Sequence, residues 1–285
     1  MTVLSSLNSQ PAHIIDDSNY RDYVPDADFR LKDNQGNEYF TGCLPMDQWE
    51  SARMTTIPFE ASGIVLWDEQ ELMERIEDMW GAQASLMHLA YQYDCLRQQY
   101  GQCWIFGTCQ STFIKLAAQN LVTPETYRMP SPNSVAYHCY PRNFGKNGGY
   151  PSLGVEKYQE HGACNTRLWP ENAATSRYDT EESRADRVHQ QLPEIVECGS
   201  GEQGFHRLMC GIAQGHPGGS SFSWWSHYVC SCWGRVDGGE LCNGIWNSWG
   251  PAGYGDRGFG LIKGRKKYPS WCCLVLRMEQ SPGPQ

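Results

Sequence analysis

The tetrapeptide Cys103-Trp104-Ile105-Phe106 is the stretch that decides how this chain folds. The apolar residues that follow it, with Phe113 and Leu116 at helical spacing, predict a buried helix from Cys103 to about Ala118. A thiol at the start of a helix lies beside the positive end of the helix dipole, which lowers the thiol pKa and makes the thiolate nucleophilic. Cys103 is therefore a candidate nucleophile.

Two downstream motifs supply the groups that such a thiol needs. Ser226-His227-Tyr228 carries an imidazole that can pair with the thiolate and return a proton to a leaving amine. Asn247-Ser248-Trp249-Gly250 carries an amide that can orient the imidazole, and Trp249 can shield that contact from water. Each motif alone is unspecific, since a lone Cys, His or Asn is usually structural. The ordered combination indicates acyl transfer.

This order of Cys103, His227 and Asn247 resembles that of the papain-like cysteine peptidases. The segment Asn147-Gly148-Gly149-Tyr150-Pro151 resembles the substrate-binding turn of the same family, where Gly148 and Gly149 leave bare backbone for an extended peptide. The resemblance implies an α+β, two-lobed fold, with the nucleophile on a helical lobe and His and Asn on a β lobe. It implies hydrolysis of peptide or amide bonds in a peptide or protein substrate, with no cofactor and no metal.

The chain departs from the family pattern in the loop before Cys103. The family has a Gln with five residues between it and the nucleophile, whereas Gln98 has four. Gln98 is the preferred candidate for the oxyanion donor that acts beside the Cys103 amide, and Gln99 is its rival. Where the family often has a disulfide, this chain has Tyr100 and Lys146.

A second resemblance, to phage-encoded papain-like proteins, rests on Trp224-Trp225-Ser226-His227 and Trp169-Pro170-Glu171-Asn172. It implies an alternative function: a papain-fold structural or binding protein, for example a virion component, with weak or no catalytic activity. A peptidase of bacterial cell-wall peptides is a further alternative. The expected location is the cytoplasm, or the virion if the chain is phage-encoded.

The composition of the chain limits which partners are expected. The chain has 285 residues, a net charge of −9 and a pI of about 5.4, so nucleic acid is not an expected partner. No apolar run approaches the roughly 20 residues that span a membrane, and Met1–Asp17 has no features of a classical secretory signal. The thirteen cysteines predict mostly free thiols in a reducing compartment. The spacing of Cys230, Cys232, Cys242, Cys272 and Cys273 does not fit a zinc site.

The pattern divides the chain into an N-terminal extension (1–60), a helical lobe (61–170) and a β-rich lobe (171–285). In the extension a hairpin is expected near Arg30–Thr41, with Asn34-Gln35-Gly36 at its tip. We expect the extension to pack on the surface without being removed, and self-assembly or docking through it is possible.

Further helices and strands follow from capping and periodicity. Asp68 and Glu71 form a capping box at the start of a helix, which is expected to continue through Ala84–Ala90. Helices are also expected near Gly154–His161 and Gly204–Ala213, and strands from Phe222 onward.

Overall fold

The computed structural model describes residues 13–33, 36–46, 54–121, 128–188, 191–250 and 257–280. Among these residues, no helix combines the length and apolarity needed to cross a bilayer. All thirteen cysteines lie in this part of the chain and are free thiols. The described residues contain no cluster of three or more His, Cys, Asp or Glu side chains suited to hold a metal ion.

The described part of the chain contains seven α-helices. They are α1 (Glu69–Gly81), α2 (Leu86–Ala90), α3 (Cys103–Ala118), α4 (Pro132–Cys139), α5 (Pro151–His161), α6 (Glu181–Val188) and α7 (Gly201–Ala213).

The strands form one large sheet and one hairpin. The strands are β1 (His13–Ile15), β2 (Arg30–Lys32), β3 (Glu38–Phe40), β4 (Thr56–Ile57), β5 (Gln191–Gly199), β6 (Gly218–Phe222), β7 (His227–Asp237), β8 (Glu240–Trp246), β9 (Phe259–Ile262) and β10 (Trp271–Gln280). The eight-stranded sheet has the order β1-β9-β8-β7-β6-β10-β5-β4, and β2 pairs with β3. Among the strands of the described residues, only the outer pairs β1–β9 and β4–β5 are parallel. The fold class is α+β, as the sequence predicts.

Helix α3 occupies the centre of the core and sets the position of the site. Its residues from Cys103 to Ala117 are all buried, and it packs against β6, β7 and β10. Gly107 allows the close approach to β7, because a Cβ there would lie 2.7 Å from the ring of Tyr228. The start of α3 therefore faces the start of β7, and β7 begins at His227.

The capping signals predict the helix starts well. The carboxylate of Asp68 accepts a hydrogen bond from the amide of Glu71 at 2.9 Å, as a capping box requires. Helix α3 has the predicted bounds. The predicted continuation of α1 through Ala84–Ala90 is wrong in part. The backbone turns at Gln83, where φ is +54°, and within the predicted stretch only Leu86–Ala90, which forms α2, is helical.

Proline begins two of the helices. Pro132 is the first residue of α4. Pro151 likewise begins α5, so this helix starts earlier than the predicted Gly154. Proline favours the first helical turn because its missing N–H has no partner there in any case. Strands β1, β4 and β5 lie outside both the expected hairpin and the strand-rich region expected from Phe222 onward.

The N-terminal extension contributes to the main sheet. Strand β1 pairs with β9 at one edge, and β4 pairs with β5 at the other. The expected hairpin is present as β2 and β3, with Arg30 opposite Phe40. Asn34 and Gln35, at its expected tip, lie outside the described residues. The chain that leaves β3 enters the cleft above α3.

Candidate active site

Cys103 is the first residue of α3 and has no exposed surface. Gly107, one turn further along α3, packs against Tyr228, and the amide of Cys43 donates to the carbonyl of Ser226, the residue before His227, at 2.9 Å. Tyr228 follows His227 at the start of β7, so helix start and strand start meet at this thiol. Cys43 belongs to the N-terminal extension, which therefore reaches the start of β7 beside this thiol.

His227 and Asn247 are in direct contact, with 2.8 Å between His227 Nε2 and Asn247 Oδ1. The amide N–H of Ser248 also bonds to Asn247 Oδ1 at 2.8 Å, and because an N–H can only donate, that atom is the oxygen. His227 Nε2 must then carry the proton, which leaves a lone pair on Nδ1. His227 Nδ1 is buried and makes no hydrogen bond within the described residues. The imidazole is thus in the tautomer whose Nδ1 can accept a proton.

Two indole rings enclose this pair. The ring of Trp225 lies 4.7 Å from that of His227, and the ring of Trp249 lies 5.0 Å from it, between ring centroids. Both indoles are buried, and Asn247 has no exposed surface. Exclusion of water strengthens the His–Asn hydrogen bond because the local dielectric constant is low.

Burial sets the protonation state of the closed site. It raises the pKa of the Cys103 thiol to about 12, although the backbone amides of Tyr228, Trp104 and Cys43 act in the opposite direction by favouring the thiolate. Burial lowers the pKa of His227 to about 4, although the hydrogen bond with Asn247 raises it. The expected lowering of the thiol pKa is therefore wrong for this state: the cleft is covered, and both groups are neutral.

Gln98 and Trp249 meet the extension at one carbonyl oxygen. The Phe40 carbonyl accepts from Gln98 Nε2 at 2.6 Å and from Trp249 Nε1 at 2.9 Å. Gln98 is also held by Ser248 Oγ, which donates to its Oε1 at 2.5 Å. Gln99, the rival candidate, is exposed. Between the two, Gln98 is thus the amide that points its donors at a carbonyl in the cleft.

The turn at Gly148 and Gly149 pairs with the extension in the manner of a strand. The amide of Gly149 donates to the Gly42 carbonyl at 3.0 Å, and the amide of Leu44 donates to the Gly149 carbonyl at 3.0 Å. The two chains run parallel at this bridge, where Cys43 lies opposite Gly149. The backbone expected to bind substrate is therefore occupied by residues of the same chain.

Gly42 is the point of closest approach. Its φ is +123°, and a Cβ there would lie 2.4 Å from the carbonyl oxygen of Gly101. The amides of Gly42 and Cys43 both donate to the Ser226 carbonyl, at 3.0 and 2.9 Å. We call residues Phe40–Leu44 the cleft segment. It lies in the cleft, whereas the sequence led us to expect an extension packed on the surface.

Three residues of the site were not predicted from the sequence. Gln102 is the N-cap of α3, is buried, and donates to the Phe144 carbonyl at 2.6 Å, which ties the helix start to the loop before Gly148. Ser226 has a left-handed backbone, with φ of +46°, and presents its carbonyl to the cleft segment. Cys43 carried no local signal. Only the adjacency of Gln102 and Ser226 to Cys103 and His227 could have indicated the first two.

A noncovalent contact stands where the resemblance implies a lost disulfide. The ammonium group of Lys146 lies 4.6 Å from the ring centroid of Tyr100, and the Gly101 amide donates to the Lys146 carbonyl at 2.8 Å. We predict a coupling of about 0.5–1 kcal/mol between Tyr100→Leu and Lys146→Met in a double-mutant cycle of urea unfolding. Additive effects of the two substitutions would show that the cation–π contact contributes nothing.

Acid is expected to destabilise the fold through its buried histidines. The pKa of His227 is lowered from 6.5 to about 4, so between these values the unfolded chain binds more protons than the folded one. Stability is therefore full above pH 6.5 and falls as pH drops toward 4, by about 3 kcal/mol for this residue. Burial lowers the pKa of His138 and His216 to about 4 as well, with the same sign. Urea unfolding from pH 7 to 4 measures the decline.

Glu171 acts in the opposite direction. Burial raises its pKa to about 7, so its contribution to the stability of the fold grows as pH falls from 7 to 4.5.

The substitution His227→Gln removes one titrating group and keeps a donor for Asn247. We expect a shallower decline of stability with acid in this variant. An identical decline in both proteins would mean that His227 is already charged in the folded state.

Solved structures with the same architecture come from several organisms. Procathepsin L 3 of Tenebrio molitor larval midgut has a TM-score of 0.53 and 16% identity, over 66% of each chain. Procathepsin B S9 from Trypanosoma congolense has a TM-score of 0.54 and 14% identity, over 83% of this chain and 90% of that one. The fold is papain-like. Xylellain, a cysteine protease from Xylella fastidiosa, has a TM-score of 0.50 and 14% identity, over 88% of this chain and 94% of that one.

Identities this low establish the papain-like fold and no more. The chain spans about two thirds of the procathepsin L chain that it matches. No family model and no curated protein matches the sequence. None of these papain-like neighbours is described as a phage or virion protein, so the expected phage branch and the structural role have no support here.

Proposed function

We propose that this protein is a papain-like cysteine peptidase, with Cys103 as nucleophile, His227 as base and acid, and Asn247 as the residue that orients His227. The observation that carries the proposal is the tautomer of His227. Its Nε2–H is fixed by Asn247 at 2.8 Å, and its Nδ1 lone pair has no partner in the described chain. A base held in this way, in a cleft that begins at a buried helix thiol, suits thiol activation.

The chemistry follows from the same atoms. His227 Nδ1 accepts the proton of the Cys103 thiol, and the thiolate attacks the carbonyl carbon of the scissile amide. The backbone N–H of Cys103 and the Nε2–H of Gln98 stabilise the oxyanion. His227 then donates the proton to the leaving amine, and water, with His227 as base, hydrolyses the thioester.

Substrate binding requires that the cleft segment leave. The Gly149 amide and carbonyl, which would pair with an extended peptide, pair with Gly42 and Leu44. The Gln98 donor that would stabilise the oxyanion is held by the Phe40 carbonyl. The protein in this conformation is thus the inactive form of the proposed enzyme. Two of the neighbours with this fold carry the prefix "pro" in their names.

Covalent labelling tests the proposal. An epoxysuccinyl peptide inhibitor, incubated with the full chain at neutral pH, is expected to modify Cys103 and none of the other twelve thiols. Peptide mapping by mass spectrometry locates the adduct, and Asn247→Ala is expected to slow its formation because the imidazole loses its orientation. Iodoacetamide at alkaline pH serves as the control reagent, since it alkylates any accessible cysteine through its thiolate and needs no peptide-binding cleft.

The alternative of a papain-fold binding protein is the other outcome of this experiment. It follows if iodoacetamide reaches Cys103 while the epoxide does not, because the thiol would then be accessible and lack activation. No contact in the described residues favours that alternative over the peptidase.

A further inference from the structure

Cys43 lies close to Cys103 in the closed cleft. A Cβ on the neighbouring Gly42 would lie 2.4 Å from the carbonyl oxygen of Gly101, and the Cys43 amide donates to the carbonyl of Ser226 at 2.9 Å. Cys43 also lies opposite Gly149 in the bridge that holds the cleft segment. The side chains of Cys43 and Cys103 are both buried and both free. The segment thus brings a second thiol to the one that we propose as nucleophile.

Other thiols that raise the pKa of a neighbouring thiol lie in separate groups. Burial raises the pKa of Cys109, and the nearby Cys139 and Cys164 raise it further. Burial likewise raises the pKa of Cys272, and Cys198 and Cys273 add to this effect. Cys43, in contrast, is raised in pKa by burial and then by the proximity of Cys103. Together with the contacts of Gly42 with Gly101 and of the Cys43 amide with Ser226, this makes Cys43 the thiol placed to react with Cys103.

We propose that Cys43 and Cys103 form a reversible disulfide under oxidation by a peroxide, and that this bond locks the cleft segment over the nucleophile. Formation of the bond depends only on the two thiols. Its consequence, a covalently latched inactive form, rests on the proposed function. The same thiol that performs catalysis would then also report the redox state of the surroundings.

The chemistry proceeds in two balanced steps. The Cys103 thiolate attacks hydrogen peroxide, the O–O bond breaks, and sulfenic acid and hydroxide form. The Cys43 thiol then attacks the sulfenic sulfur, the S–S bond forms, the S–O bond breaks, and the hydroxyl group leaves with the thiol proton as water. The thiol pair loses two electrons, and the peroxide accepts them.

The closed state protects the pair, and brief opening exposes it. With the segment in place both thiols are buried, and burial holds Cys103 protonated, so the first step is slow. When the segment lifts, His227 can take the Cys103 proton and the thiolate reacts. Because the segment is tethered, Cys43 returns at an effective concentration of about millimolar and captures the sulfenic acid before further oxidation.

Mass spectrometry under non-reducing conditions tests the lock. The full-length chain is treated with hydrogen peroxide, digested and mapped, in parallel with Cys43→Ser and with Cys139→Ser as a matched control that also removes one thiol. We expect a peptide pair joined through Cys43 and Cys103 in the wild type and in Cys139→Ser, which dithiothreitol separates. In Cys43→Ser we expect Cys103 to proceed to sulfinic and sulfonic acid, which dithiothreitol does not reverse.

Two results would overturn the inference. One is irreversible oxidation of Cys103 at the same rate with and without Cys43. The other is a reduced Cys103 while other pairs, such as Cys198 and Cys272, become linked. The readout is independent of peptidase activity. A disulfide between Cys43 and Cys103 in a protein whose reduced Cys103 never reacts with the epoxide supports the lock and refutes the proposed enzyme.

Discussion

We expect Gly42→Ala to uncover the cleft and to raise the rate at which an epoxysuccinyl inhibitor labels Cys103. The added Cβ would lie 2.4 Å from the Gly101 carbonyl oxygen, and the backbone at φ +123° is unfavourable for alanine. Overpacking of this kind costs about 1–3 kcal/mol, which corresponds to an increase of about 5- to 150-fold in the open fraction and in the labelling rate. Rapid mixing with the inhibitor and mass spectrometry measure the rate.

Gly36→Ala is the matched control for this substitution. Gly36 lies in the same extension and also has a positive φ, +83°, but nothing lies within 4 Å of the Cβ that alanine would add. This variant is expected to label at the wild-type rate. Equal acceleration by both variants would indicate general loosening of the extension. No acceleration by Gly42→Ala would mean that the cleft segment does not limit access to Cys103.

Under the proposed function, we expect Cys103→Ala, introduced into the Gly42→Ala protein, to abolish peptide hydrolysis. Loss of the nucleophile removes the covalent route altogether, so kcat/KM on a peptide mixture should fall at least about 10³-fold. Cys109→Ala provides the control, because Cys109 is a fully buried free thiol of the same helix whose thiol takes no part in the proposed chemistry. Comparable loss in both variants would trace activity to helix packing, and comparable activity would refute Cys103 as nucleophile.

Much of the fold could be predicted where local chemistry decides the structure. The capping box at Asp68 and Glu71 and the apolar periodicity after Cys103 specify helix starts without reference to distant residues. Strand β5 and helix α4 could not be found in this way. Leu192-Pro193-Glu194 has little strand character, and its strand is specified by pairing with β10, which is distant in the chain. Pro132 shows that a local signal can also be ambiguous, because proline can either end or begin a helix.

The candidate site could be predicted in its parts and not in its state. The resemblance gives Cys103, His227 and Asn247, and the structure joins His227 to Asn247. The neutral thiol and imidazole depend on burial in a cleft that contains the cleft segment, which precedes Cys103 by about 60 positions and His227 by about 185. No local pattern near Cys43 indicates that it reaches Cys103. The hydrogen bond of Gln98 to Phe40 is likewise visible only in three dimensions.

Amide hydrogen exchange with and without the inhibitor tests most directly that the cleft segment and the substrate compete for one site. In the free protein the amides of Gly42, Leu44 and Gly149 are hydrogen-bonded within the cleft and should exchange slowly. Once the inhibitor is attached to Cys103, Gly42 and Leu44 should lose protection, whereas Gly149 should keep it through the inhibitor backbone. Full attachment at Cys103 with unchanged protection of Gly42 and Leu44 would contradict the account.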